Sequence, residues 1–228
     1  MNEDHLHRPQ IKICGLTRTD EARKCAELGA DAIGLVFFKK SPRNLDREQA
    51  REIVENLPGH VSTVGVFVNE TFDFIMDHVN FCGLSAVQLH GTEPPDLVNR
   101  LMDTKLTIIK CLYMENEPFL TDADTYNASA YLVECKKGIL PGGNALSWNW
   151  GRAKDFGKLH PFILAGGLTH ETVRTAISEA SPDAVDISSG VESSPGRKDM
   201  SKVKSFIEQV FQSSHEDSND RKIVRRIF

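Results

Sequence analysis

Short apolar runs recur along the chain, separated by stretches whose apolar positions fall three and four residues apart. The runs at 11–14, 32–37, 62–68, 86–89, 107–111, 130–134, 162–165 and 184–188 have the length and near-continuous apolar character of buried strands. Between them, 19–28, 46–56, 171–179 and 200–211 read as amphipathic helices, with Thr, Asp or Ser near the starts of the first three as caps. Strand and helix alternate, which predicts a parallel α/β fold. Eight strands exceed what a doubly wound sheet usually needs. A chain of 228 residues also lies close to the ~250 typical of a closed barrel. The expected architecture is therefore a single (β/α)8 TIM barrel of eight parallel strands.

An internal echo supports closure. Gly15-Leu16-Thr17 precedes Asp31-Ala32 by the same interval at which Gly167-Leu168-Thr169 precedes Asp183-Ala184. Each copy reads as a turn, a helix and a new strand opening on Asp-Ala, as two quarter-barrels of one repeating architecture would. The expected organisation is a polar lead over 1–9, a barrel over 10–212, and a tail over 213–228 that is acidic, then basic. Such a tail reads as flexible. Its other reading docks Ile223, Val224 and Ile227 on the barrel or on a second subunit.

Composition narrows the partners. With 40% hydrophobic and 26% charged residues and a formal charge of -5, the chain offers no basic footprint for nucleic acid or an anionic membrane. No apolar segment approaches the ~20 residues of a membrane helix. The first ten residues are too polar for a signal peptide. Five cysteines, at 14, 25, 82, 111 and 135, form no CxxC pair, which fits reduced thiols in a cytoplasmic protein. The histidines show no metal-ligand spacing, and neither metal nor cofactor is expected.

Catalytic groups of such a barrel stand at the carboxyl ends of its strands. There the sequence places Cys14, Arg43, Gln88, His90, Glu134, and Asp186 with Ser188 and Ser189. Side chains alternate along a strand, so Lys12 shares a face with Cys14, Gln88 with His90, and Asp186 with Ser188. Cys14 by itself reads first as buried filler and only second as a reactive group at a cleft. A Lys12–Asp186 pair near it is expected, because strands one and eight adjoin in a closed barrel. Two glycine-rich turns, Ala165-Gly166-Gly167 and Ser188-Ser189-Gly190, suit a phosphate cradle, which barrels commonly place after strands seven and eight.

Taken together, several segments resemble the phosphoribosylanthranilate isomerase family, collinearly from about 10 to 211. They are Lys12-Ile13-Cys14-Gly15-Leu16-Thr17, Gly29–Phe37, Ser41-Pro42-Arg43, Val64–Asn69, Val87–Gly91, Leu164–Leu168 and Val185–Glu192. The resemblance implies a cofactor-free barrel that acts on a phosphosugar, as a monomer or homodimer. The implied reaction is the Amadori rearrangement of N-(5-phosphoribosyl)anthranilate to 1-(2-carboxyphenylamino)-1-deoxyribulose 5-phosphate in tryptophan biosynthesis. It assigns Cys14 as general base and the carboxylate ending strand six as general acid. Arg43 becomes the partner of the anthranilate carboxylate, with Gln88, His90 and Asp186 against the substrate. Gly166, Gly167, Ser188, Ser189 and Gly190 hold phosphate. The family normally carries aspartate at strand six, where this chain has Glu134, and Ala145 replaces a glycine after Gly142-Gly143-Asn144. Two other readings follow. One is a paralogue that binds the ligand but has lost rate. The other is a different phosphosugar aldose–ketose isomerase, such as the histidine-pathway enzyme, which uses paired aspartates instead of a thiol. A metal-dependent epimerase would need clustered His and Asp ligands.

Overall fold

Eight parallel strands hydrogen-bond in chain order and the last returns to the first, closing a barrel. They are β1 Gln10–Cys14, β2 Ala32–Phe37, β3 Ser62–Phe67, β4 Ala86–Leu89, β5 Thr107–Tyr113, β6 Ala130–Glu134, β7 Phe162–Leu164 and β8 Ala184–Ile187. The structure, a computed structural model, describes residues 8–135, 148–213 and 224–228. Around the barrel run α1 Thr19–Leu28, α2 Arg47–Glu55, α3 Phe72–Cys82, α4 Pro95–Met102, α5 Lys154–Leu159, α6 Val173–Ala180 and α7 Met200–Ser213. Between β5 and β6 the helical element is a 3₁₀ turn, Leu120–Thr125. After β8, Glu192–Ser194 (β9) and Arg197–Lys198 (β10) form a small antiparallel hairpin.

Local chemistry sets the helix boundaries. Asp46 accepts from the backbone N–H of Gln49, whose side chain accepts from that of Asp46, a reciprocal cap that starts α2. The Thr71 hydroxyl caps α3 in the simpler way.

Strand parity divides the side chains. In β1, Gln10, Lys12 and Cys14 point inward, and Ile11 and Ile13 join the helix-facing core. Ala32, Val64, Ala86, Ile109, Cys111, Leu132, Ile163 and Ala184 fill the barrel interior. β5 continues two residues past its expected end, which brings Tyr113 into register with Glu134.

Of the tail read as flexible, Ser213 closes α7, while Ile223 lies outside the described residues. Arg225, Ile227 and Phe228 have defined partners at the amino-terminal end of the barrel. Ile227 and Phe228 pack against the interior cluster. The Gln10 side chain donates to the Phe228 carbonyl at 2.9 Å and accepts from the N–H of Ile227 and of Phe228. Two arginines among residues 224–228 give the segment its polar look.

Candidate active site

All the expected site residues line one cleft at the carboxyl ends of the strands, about 730 Å³ including its open mouth. Cys14 ends β1, Gln88 and His90 lie on and just past β4, Glu134 ends β6, and Asp186 lies on β8. Ser188–Gly190 follow β8, and Gly166 and Gly167 follow β7.

Room for the thiol comes from the neighbouring strand. Gly34 pairs with Cys14, and a Cβ at Gly34 would lie 2.7 Å from Cys14 Sγ. Below it, Lys12 Nζ donates to Asp186 Oδ1 at 3.0 Å, with Lys12 fully buried. The expected pair is therefore present. Burial works against the ammonium, but Asp186 and Cys14 outweigh it and raise the Lys12 pKa. Burial also pushes the Cys14 thiol up; Lys12 and Lys198 pull it back, while Asp186 opposes them. The net shift favours the thiol.

The acid side is built differently. Burial, then the charge of Asp186, raises the Glu134 pKa to about 8 against the pull of Lys12. Its carboxyl is therefore largely protonated at neutral pH, which suits a proton donor. His90 Nε2 lies 3.9 Å from Glu134 Oε2. On its other side, Gln88 Nε2 approaches His90 Nδ1 at 2.9 Å. The Tyr113 hydroxyl donates to the His90 carbonyl at 3.2 Å.

His90, Cys111 and Glu134 also bring donor atoms within 4.8 Å of one another, a spacing that could hold a metal ion. Burial keeps both the Cys111 thiol and the Glu134 carboxyl protonated, whereas a metal needs their lone pairs. A cation bound there would have to displace both protons.

Arg43 reaches the cleft across Gly15, whose φ of +76° and lack of Cβ let the arginine stem lie against the backbone. Its guanidinium donates to both oxygens of Glu192, at 2.7 and 2.6 Å. Lys198, on the hairpin, donates to Glu192 at 3.0 Å and to the Ser188 carbonyl at 3.0 Å. Burial raises the Glu192 carboxyl, but these two cations outweigh it and hold the pKa below its ordinary value. Lys198 itself is lowered, because its burial exceeds the help from Glu192. In the sequence Glu192 only closes the Val185–Glu192 segment, and nothing marks Lys198. Only the hairpin turn brings Lys198 back to the cleft, and no local pattern announces that.

Gly166 and Gly167 both adopt positive φ, +83° and +72°, turning the chain sharply after β7. The Trp148 indole donates to the Ala165 carbonyl at 3.1 Å and Trp150 to that of Gly166 at 3.2 Å, pinning this turn from outside. Gly190 presses against the Leu168 carbonyl so closely that a Cβ there has no room. The two glycine turns therefore nest together. Gly142, Gly143, Asn144 and Ala145 lie outside the described residues.

A family model for N-(5'phosphoribosyl)anthranilate (PRA) isomerase matches residues 11–209. An N-(5'-phosphoribosyl)anthranilate isomerase of Desulfatibacillum aliphaticivorans is 49% identical over 204 residues, covering 90% of this chain and 94% of that protein. The Syntrophus aciditrophicus enzyme of the same name is 42% identical, covering 95% and 94%. Among solved structures, the phosphoribosyl anthranilate isomerase of Thermotoga maritima superposes with a TM-score of 0.82 at 38% identity, covering 89% of this chain and 98% of that one. A phosphoribosyl anthranilate isomerase in complex with reduced 1-(o-carboxyphenylamino)-1-deoxyribulose 5-phosphate gives 0.79 at 37% identity, with the same coverage. A barrel with this site, matched over nearly its whole length, belongs to the N-(5'-phosphoribosyl)anthranilate isomerase family.

Proposed function

We propose that the chain rearranges N-(5-phosphoribosyl)anthranilate to 1-(2-carboxyphenylamino)-1-deoxyribulose 5-phosphate, the isomerase step of tryptophan biosynthesis, with Glu134 as general acid and Cys14 as general base. The observation that carries the reading is the placement of a thiol and a protonated carboxyl in one cleft, at the ends of β1 and β6, beside the nested turns of β7 and β8. The turns take the phosphate, and Arg43 takes the anthranilate carboxylate, for which a planar guanidinium is suited. Glu134 gives its proton to the ring oxygen as the C1'–O bond breaks and the aniline nitrogen forms an iminium. That cation acidifies the C2' hydrogen. It also stabilises a thiolate at Cys14, adding to Lys12 and Lys198 what burial takes away. The thiolate removes the C2' proton, and the resulting enolamine gains a proton at C1' and releases the proton of its C2' hydroxyl to become the ketone.

The test is loss of substrate fluorescence with purified protein. Wild type turns over, Cys14→Ser and Glu134→Gln each lose about 10²–10⁴-fold in kcat, and Glu134→Asp retains measurable rate. A wild-type rate in Cys14→Ser would remove the base assignment. Binding of the product analogue without turnover by wild type would instead identify a paralogue that only holds the ligand.

A further inference from the structure

The internal echo has a structural meaning at the amino-terminal end of the barrel. Asp31 accepts from the N–H of Ile11 at the start of β1, and its own backbone bridges Ile11 to Ser62 of β3. Asp183 repeats this arrangement: it accepts from the N–H of Phe162 at the start of β7, and its backbone bridges Phe162 to Gln10 of β1. Each aspartate thus joins three consecutive strands. Each is also met by an arginine. Asp31 receives Arg8, three residues before Ile11, through both oxygens at 2.8 and 3.2 Å. Three residues before Phe162 stands Leu159, which cannot donate and is 78% exposed.

The guanidinium that meets Asp183 comes from Arg225, 42 positions further along the chain. Arg225 donates to fully buried Asp183 through its backbone N–H at 3.0 Å, Nε at 3.1 Å and its terminal nitrogen at 2.7 Å. The same terminal nitrogen reaches the carbonyls of Gly157 and His160, which precede β7, at 2.7 and 2.6 Å. Ile227 and Phe228 then press on the barrel interior, where Ala32, Ala86 and Ala184 take up little of the space. The seam bridged in this way is short: β7 and β8 pair through two residue couples, whereas β2 and β3 pair through six. The family match ends at residue 209, before this segment begins.

We propose that Val224–Phe228 is a clasp on the amino-terminal mouth of the barrel. Through Arg225 it gives Asp183 the guanidinium that Arg8 gives Asp31, and it holds the β7–β8 seam whose opposite ends carry the two glycine turns. Its link to those turns rests on their reading as the phosphate site; the pairing with Asp183 does not.

The experiment compares wild type, Arg225→Ala, deletion of 224–228, Arg8→Ala, and Arg225→Ala with Leu159→Arg. Each is examined by thermal melting, strand-resolved amide exchange and competitive inhibition by inorganic phosphate. Arg225→Ala and the deletion lower Tm by roughly 5 °C or more. They speed exchange in β7 and β8 about tenfold over any change in β2 and β3, and weaken phosphate inhibition several-fold. Arg8→Ala lowers Tm but speeds exchange in β1 and β2, leaving phosphate inhibition alone. Leu159→Arg restores part of what Arg225→Ala loses. Wild-type melting in Arg225→Ala, or faster exchange spread evenly over all strands, overturns the clasp. Faster β7–β8 exchange with phosphate inhibition unchanged overturns its link to the turns. If wild type itself shows no phosphate inhibition, the phosphate reading falls while the exchange pattern still decides the clasp.

Discussion

Glu134 is protonated in the folded protein over a range where an exposed glutamate is ionised, since its pKa sits at about 8. Two consequences of opposite use follow. In its proposed role as general acid it must hold its proton, so kcat falls as pH rises through about 8. As a buried carboxyl with a raised pKa, it contributes stability that is full below the unfolded value and is lost as pH rises through the folded one. Glu134→Gln removes both effects. It abolishes the alkaline limb along with most of the rate. It also melts above wild type at pH 9, and the difference disappears near pH 5, as paired thermal scans would show. An unchanged alkaline limb in the residual activity would assign that limb to another group. Gly34 offers a test from the base side. A methyl there meets Cys14 Sγ at 2.7 Å and its Cα at 3.0 Å, so thiol and backbone must both shift. Gly34→Ala should cost on the order of 10-fold or more in kcat, because small misplacements of reacting groups are expensive. It should also lose about 1–3 kcal/mol of stability from overpacking.

Among the elements, the β7 and β8 turns act as one unit. The Leu168 carbonyl is backbone, so it cannot yield to a side chain at Gly190 without moving the β7 turn. Gly190→Ala should therefore raise KM more than it lowers kcat, and substrate titration separates the two. A kcat effect alone would place the turns with the chemistry. These elements were legible in the sequence because glycine-rich turns follow apolar runs, and the runs themselves marked all eight strands to within two residues. Parity then put Lys12 beside Cys14 and strand adjacency put Asp186 beside Lys12. Lys198 was not legible. Its place depends on a hairpin whose turn brings a residue ten positions past Ser188 back to the Ser188 carbonyl. Arg225 was equally hidden, since a basic residue in a polar tail looks solvated until a buried aspartate is found facing it. The Arg43–Glu192 pair joins positions 149 apart, and no local pattern couples them.

At the scale of the whole molecule, Lys12 and Lys110 are both fully buried, and strand parity puts them on opposite faces of the sheet. Lys12 faces the interior with Cys14, paired with Asp186 at 3.0 Å. Lys110 faces outward from β5 between flanking core residues Ile108 and Leu112, paired with Glu93 at 2.7 Å and over the Tyr126 ring. Glu93 also accepts from the N–H of Asn69 and of Gly91, tying the loops after β3 and β4 to β5. Removing either lysine strands a carboxylate, but the surroundings differ. Asp186 borders the open cleft, where water can reach it, whereas Glu93 is sealed at 1% exposure. Lys110→Met should therefore cost about 3–5 kcal/mol in stability, the scale for a buried pair broken on one side. Adding Glu93→Gln should recover part of that, because the stranded charge is gone. Activity per folded molecule at low temperature should stay within a few-fold of wild type. Lys12→Met should show the reverse balance: a smaller loss of stability, a higher thiol pKa in alkylation profiles, and a large loss of kcat. Denaturant melts and rates on the same preparations read both quantities. Similar losses of both in the two variants would mean that the inner and outer faces of the sheet do not divide chemistry from stability.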